Sequence, residues 1–337
     1  MAGRAGLRAL AQRIDAWGNA RFVNQIARDI RSADPFVLWG YNGSSRTSFE
    51  LARERGRVCV LDRTNGDFRV YNAMMAEIRE RYGEWFLPVE REVPDRVIRN
   101  DQREYELADR IVVGSPFAAD TIREAASDPA IHAKLRVLNY CFDEALFGNL
   151  PPPQPLAANQ PVRFLWVGLL IPRKGIHHVL EAFAQLPAGS AELTLVGDLK
   201  IPRKVFARYA DRVRYISTVA RADVPAIMAA HDVFLLPSYF EGAGITLYEA
   251  LAAGCALIQS DRCAPAVSPE TGIQLGTPDT NTLLQAMLTC IHDRDRLNAW
   301  RAAAQERSQQ FTFARYRDNI ADVLSELDAG SASAPFQ

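Results

Sequence analysis

Two glutamates eight positions apart, Glu241 and Glu249, frame a loop that carries Gly242, Ala243 and Gly244. The apolar run DVFLLP (232–237) precedes the loop. ITLYEALAA (245–253) follows it, with the pattern of a helix that Gly254 stops. Strand, glycine loop and helix start together make an anion site. Glycine lets the backbone come close to a ligand, and the free N–H groups of Gly244, Ile245 and Thr246 can aim at phosphate oxygens. Helical side chains lean toward the N-terminus, so the carboxylates of Glu241 and Glu249 can face one pocket. A carboxylate there accepts hydrogen bonds from a vicinal diol. Glu249 suits a ribose, and Glu241 suits a sugar hydroxyl beside the phosphates. The pattern alone reads equally as a plain strand–turn–helix with two surface acids.

The elements that would position such a loop recur along the chain. RFLWV (163–167), ELTLV (192–196), RVRYI (212–216), DVFLLP (232–237) and CALIQ (255–259) read as buried strands. Helical patterns such as GIHHVLEAFAQL (175–186) and ADVPAIMAA (222–230) separate them. The N-terminal half repeats this more weakly with FVLW (36–39), VCVL (58–61), RIVV (110–113) and LRVL (135–138). Ser115-Pro116 is a helix start, with a serine cap and proline in the first turn. Strands alternating with helices make doubly wound parallel α/β sheets, which bind ligands at their carboxyl ends.

Five prolines crowd GNLPPPQPLAANQP (148–161), which suits a stiff connector. The expected organisation is an N-terminal domain over 1–148, a linker over 149–161, a C-terminal domain over 162–310, and a terminal helix and tail over 311–337. The helix would span FTFARYRDNIADVLSELD (311–328), with AGSASAPFQ beyond it disordered. A chain of 337 residues exceeds one ordinary core. A net charge of −1 gives no electrostatic case for nucleic acid. No apolar run is long enough to span a bilayer, and no leader pattern opens the chain. Five widely spaced cysteines suit reduced thiols and a cytoplasmic location.

The segment PSYFEGAGITLYEALAAGCALI resembles the E-x7-E signature of the family-4 retaining glycosyltransferases of GT-B fold. VGLLIPRKG (167–175), which contains Gly168, resembles that family's phosphate-binding loop. LVGD (195–198), with Gly197, resembles its next strand end. YELADRIVVGSPFAADTI (105–122) and LRVLNYCFDEALF (135–147) resemble the end of its N-terminal domain. The resemblance covers about residues 35–328. It implies two Rossmann-like domains facing across a cleft, the N-terminal one shortened, and transfer of a hexose from a UDP- or GDP-linked donor. The acceptor would be a glycan or glycolipid, as in polysaccharide biosynthesis. Glu241 is then expected to touch the donor sugar, Glu249 the ribose and Lys174 the diphosphate. Arg173 could assist through its planar fork, and backbone near Ser217–Val219 would select the base. No cofactor or metal is expected: Lys174 and the helix start would meet the phosphate charge. Asp-x-Asp spacing occurs only at Asp293 and Asp295, in a late helical stretch.

The chain departs from that family's pattern in three places. Leu169 stands where the family has arginine. The family's first strand and glycine-rich loop would lie before residue 1. A cleft histidine of the family has no counterpart, since the first of five histidines is His132. Asp67 in LDRTNGDFRVYN (61–72) could stand in, with Asp62, Arg63 and Asn65 at the acceptor; the plainer reading of Asp67 is a helix cap. Two other functions fit the same residues: a catalytically impaired, partner-dependent nucleotide-sugar-binding subunit, and a GT-B-fold nucleotide-sugar epimerase. The first 32 residues hold six arginines, and Leu7, Leu10, Ile14 and Trp17 share one helical stripe. That stripe suits either peripheral contact with an anionic membrane or packing on a sheet. His177 and His178 suggest a metal pair, but neighbours on a helix point about 100° apart.

Overall fold

The computed structural model describes residues 17–18, 21–32 and 34–332, with side chains described as far as 327. Leu7, Leu10 and Ile14 of the N-terminal stripe lie outside the described residues. Within them, residues 21–30 form a helix that buries Val23, Ala27 and Ile30 and leaves Phe22 exposed, as is Trp17 before it.

Among the described residues, ten strands form two sheets. β1 (Val37–Tyr41), β2 (Val58–Arg63), β3 (Arg110–Val113) and β4 (Leu135–Val137) lie side by side in that order. The second sheet has six strands: β5 (Val162–Val167), β6 (Ala191–Val196), β7 (Arg214–Ile216), β8 (Val233–Leu236), β9 (Ala256–Ser260) and β10 (Gly272–Leu275). Their order is β10-β9-β8-β5-β6-β7, and the recorded pairings are all parallel. Parallel strands covered on both faces need apolar side chains on both. VRFLWV supplies them by alternation. Val162, Phe164 and Trp166 enter one core with Val233 and Leu235, while Leu165 enters the other with Phe234 and Leu236. The predicted strands all form, with ends shifted by one or two residues. β10 was not foreseen: GIQL is half exposed and presents little apolar pattern.

By contacts the chain divides into two compact units. One comprises Met1–Thr64, Val93–Val112 and Ala126–Arg136; the other comprises Asn65–Glu92, Val113–Ala125 and Val137–Gln337. The helices Phe68–Tyr82 and Pro116–Ala125, expected before a boundary at 148, therefore group with the six-stranded sheet. Ser115 Oγ accepts from the Ala118 amide at 3.1 Å, as a serine cap should. The proline-rich segment 148–161 is strapped down. Asn298 bonds both the N–H and the C=O of Leu156, and Arg301 donates to the Gln154 carbonyl. The terminal helix runs Phe313–Ala332, four residues past its expected end, so the start of the expected disordered tail is helical. Cys59, Cys141, Cys255, Cys263 and Cys290 are all free thiols. No helix among the described residues is long and apolar enough to cross a membrane.

Candidate functional site

The six-stranded sheet reverses direction between β5 and β8. From β5 the chain winds outward through β6 and β7, then returns to place β8 on the other side of β5. Loops leaving the carboxyl ends of two such strands diverge and open a crevice, the usual ligand position in open α/β sheets. The loop after β5 holds Gly168, Arg173 and Lys174; the loop after β8 holds Glu241 to Gly244. They touch backbone to backbone. The Tyr239 amide donates to the Arg173 carbonyl at 2.9 Å. Gly175, at φ +80°, lies so near the Pro237 carbonyl that a Cβ would sit 2.1 Å from its oxygen. Gly197, at φ +140°, crosses the Gly168 carbonyl as closely, at 2.0 Å. Only glycine satisfies both the dihedral and the space at these two positions.

Glu241 is buried and paired through Oε1. Lys174 Nζ lies 2.7 Å from its Oε1, Arg173 Nη1 3.2 Å, and Ser238 Oγ 3.1 Å. Arg173 also donates to the Phe240 carbonyl. Burial works to raise the Glu241 pKa, but the Lys174 and Arg173 charges outweigh it and hold the carboxyl below its ordinary value. Three charged groups of net charge +1 are thus gathered at one point.

Glu249 lies on the helix Thr246–Ala252 and is 3% exposed. Its Oε1 accepts from Arg221 Nη2 at 2.5 Å. Arg221 starts a short 3-10 turn two residues after Val219, and its guanidinium, pushed up in pKa by the bond to Glu249, lies 5.7 Å from the Phe147 ring centre. Sequence reasoning missed Arg221. Its neighbourhood was flagged for backbone, and nothing local pairs it with a glutamate 28 positions away. The amides of Gly244, Ile245 and Thr246 have no protein acceptor among the described residues, while the Leu247 amide already closes the first turn on the Gly244 carbonyl. The Ala243 carbonyl accepts from the Ala264 amide at 2.7 Å, and Gly242 and Ala243 are buried beneath the loop. Val219 packs on the same core as the Glu249 helix. Leu169 is 44% exposed.

Asp67 caps the helix Phe68–Tyr82. It accepts from the Arg69 amide at 2.8 Å and is gripped by both arms of the Arg69 guanidinium. Its own amide donates to Thr121 Oγ1, and Gly66 before it lies against the Phe240 ring. The carboxylate is buried and serves as a cap. Asp62 and Arg63 are buried in the other unit, where Arg63 pairs with Asp101 at 2.6 Å and Trp39 donates to Asp62. Asn65 is half-buried.

Of the two adjacent histidines, His178 ties the loop after β8 to the helix Thr280–His292. His178 bonds Thr280 Oγ1 at 2.8 Å through Nδ1 and the Tyr239 hydroxyl at 2.6 Å through Nε2. His177 is packed among Tyr82, Trp85 and Tyr239. No cluster of metal-ligating side chains occurs among the described residues.

Residues 161–293 match the family described as glycosyl transferases group 1. The chain is 28% identical over 153 residues to O-antigen chain mannosyltransferase B of Escherichia coli, a match covering 42% of this chain and 39% of that one. It is 41% identical over 106 residues to the lipopolysaccharide glucosyltransferase WaaG of Escherichia coli K12, covering 29% of this chain and 28% of that one. The chain thus spans well under half the length of either relative. Among solved structures, HepE of Anabaena in complex with UDP superposes with a TM-score of 0.65 at 17% identity, over 91% of this chain and 82% of that one. That likeness establishes the fold, which is GT-B, and the two parallel α/β sheets belong to it.

Proposed function

We propose that this chain is a retaining glycosyltransferase that moves a hexose from a UDP- or GDP-linked donor to a glycan or glycolipid. One observation carries the reading. Glu241 is held between Lys174 and Arg173 where the sheet reverses, with the buried Glu249 on the adjoining helix. The matched relatives, a mannosyltransferase and a glucosyltransferase, support the class of reaction, and the UDP complex of HepE supports the class of donor.

In this reading Glu249 accepts hydrogen bonds from the ribose diol. The diphosphate lies over the amides of Gly244, Ile245 and Thr246, with Gly168 and Gly197 at the neighbouring strand ends. Lys174 and Arg173 turn from Glu241 toward the phosphates, and Glu241 takes a donor-sugar hydroxyl. The acceptor oxygen bonds to the anomeric carbon on the face from which the diphosphate departs. The broken C–O bond leaves its electron pair on the phosphate oxygen, and that oxygen takes the acceptor's proton. Lys174 and Arg173 stabilise the charge that develops there, which is the work a metal ion does elsewhere.

Lys174→Ala should lower turnover by roughly 100-fold or more, the usual cost of losing a charge-stabilising donor. Glu249→Ala should weaken nucleotide binding. Screening UDP, GDP and ADP by thermal stabilisation identifies the base. Full activity in both variants would sink the assignment. The exposed Leu169, at the position where the resembling family carries arginine, favours a second reading, a nucleotide-sugar-binding subunit that needs a partner to transfer. Stabilisation by nucleotide with no transfer to any acceptor would select it.

A further inference from the structure

A groove of about 350 Å³ opens beside the donor loop, outside the residues assigned above. Met74 of the helix Phe68–Tyr82 and Phe117 of the helix Pro116–Ala125 supply its apolar surface. Phe117 meets Phe240 edge to face, with ring centres 5.5 Å apart, and Phe240 immediately precedes Glu241. Asp120, Glu124 and Asp261 line the rim, with Arg262 as the one cation among the lining residues. Arg262 reaches across to Met74 Sδ at 3.6 Å and lies 3.7 Å from Asp261. The volume falls within the roughly 300–1,000 Å³ of ordinary ligand sites, where an apolar wall and a few polar groups set orientation.

We propose that this groove is an acceptor-sugar subsite selective for neutral or amine-bearing saccharides over acidic ones. The proposal rests on the sugar-transfer reading for its ligand class. A sugar ring has an apolar C–H face and a girdle of hydroxyls. The Phe117 and Met74 surfaces cover the first, and the carboxylates accept from the second. Asp120 is paired with Arg123 at 2.7 Å and Asp261 lies 3.7 Å from Arg262, so Glu124 leaves the rim with one net negative charge. A carboxylated or phosphorylated ring is repelled, and an ammonium-bearing ring is drawn in.

The test is calorimetric binding of three trisaccharides to the full chain: one of glucose, one of glucosamine and one of galacturonic acid. The glucosamine trisaccharide should bind tightest and the galacturonic one weakest. Exposed charges of this kind should separate the extremes by about two- to fivefold. The double variant Glu124→Gln, Asp261→Asn keeps the shape of the rim and should level that order. Equal or tighter binding of the acidic trisaccharide, no binding by any of the three, or an order that survives both substitutions would overturn the proposal. Stabilisation by UDP or GDP, measured without saccharide, reports on the donor loops alone. If nucleotide stabilises and saccharides do not bind, the groove is wrong and the donor reading stands. If saccharides bind in the expected order and nucleotide does nothing, the reverse holds.

Discussion

Glu249 is nearly buried, and the cation that neutralises it comes from 28 positions earlier. Removing Arg221 leaves the buried Glu249 carboxylate without the counter-charge that holds and orients it. Arg221→Ala should therefore weaken nucleotide affinity by about tenfold, of the order expected for one charge-assisted hydrogen bond, with Arg221→Lys recovering part of it. Titration calorimetry with the stabilising nucleotide measures this; unchanged affinity would place the ribose elsewhere. At this scale the sequence is most informative where spacing is local. Glu241, the glycines and Glu249 sit on one strand–loop–helix unit, so a period and a cap suffice to bring them together. Lys174 required a resemblance, because nothing in an isolated Arg-Lys pair says that it folds onto a glutamate 67 residues on. Arg221 required the structure, as did the capping bond that commits Asp67 to Arg69.

The helix Ile176–Ala184, the loop after β8 and the helix Thr280–His292 are joined by His178, which bonds both Tyr239 and Thr280. Burial pushes its imidazole down to about 4, and burial together with neighbouring His178 pushes His177 down as well. The unfolded chain takes up a proton near pH 6.5, and the folded chain does not until about pH 4. Stability should therefore be full above about pH 6.5 and fall steadily below it, losing about 3 kcal/mol from His178 by pH 4. Melting temperatures between pH 7.5 and 5 measure the slope, and His178→Gln should flatten it; equal slopes would mean that other groups set the acid limit. Interior strands were legible because both faces are apolar, as in VRFLWV and VFLL. β10 was not, since an edge strand carries a weak pattern, and the terminal helix runs four residues past its expected end.

Over the whole molecule, each unit has its own parallel sheet. The helices Phe68–Tyr82 and Pro116–Ala125 group with the six-stranded sheet despite their place in the chain. Sequence order gave no warning of that: grouping follows contacts such as Tyr71 and Phe117 against Phe240, which composition and proline-rich stretches do not report. Saturating nucleotide at about 100 times its dissociation constant should add about 2.7 kcal/mol of stability. Hydrogen exchange should slow in 168–175 and 237–249 together; protection of only one loop would contradict a shared site.

The reversal between β5 and β8 has a consequence for how the binding function is acquired. β5, β6 and β7 form one contiguous stretch of chain, and β8, β9 and β10 form the next. Each contributes one of the two loops, so the proposed donor site draws Lys174 and Arg173 from the first and Glu241 and Glu249 from the second. On the proposed reading, a chain cut near Ala220 parts Lys174 and Arg173 from Glu241 and should lose donor affinity. Nucleotide capture, if the proposed site holds, then reports that the two halves of the sheet have joined at the β5–β8 seam.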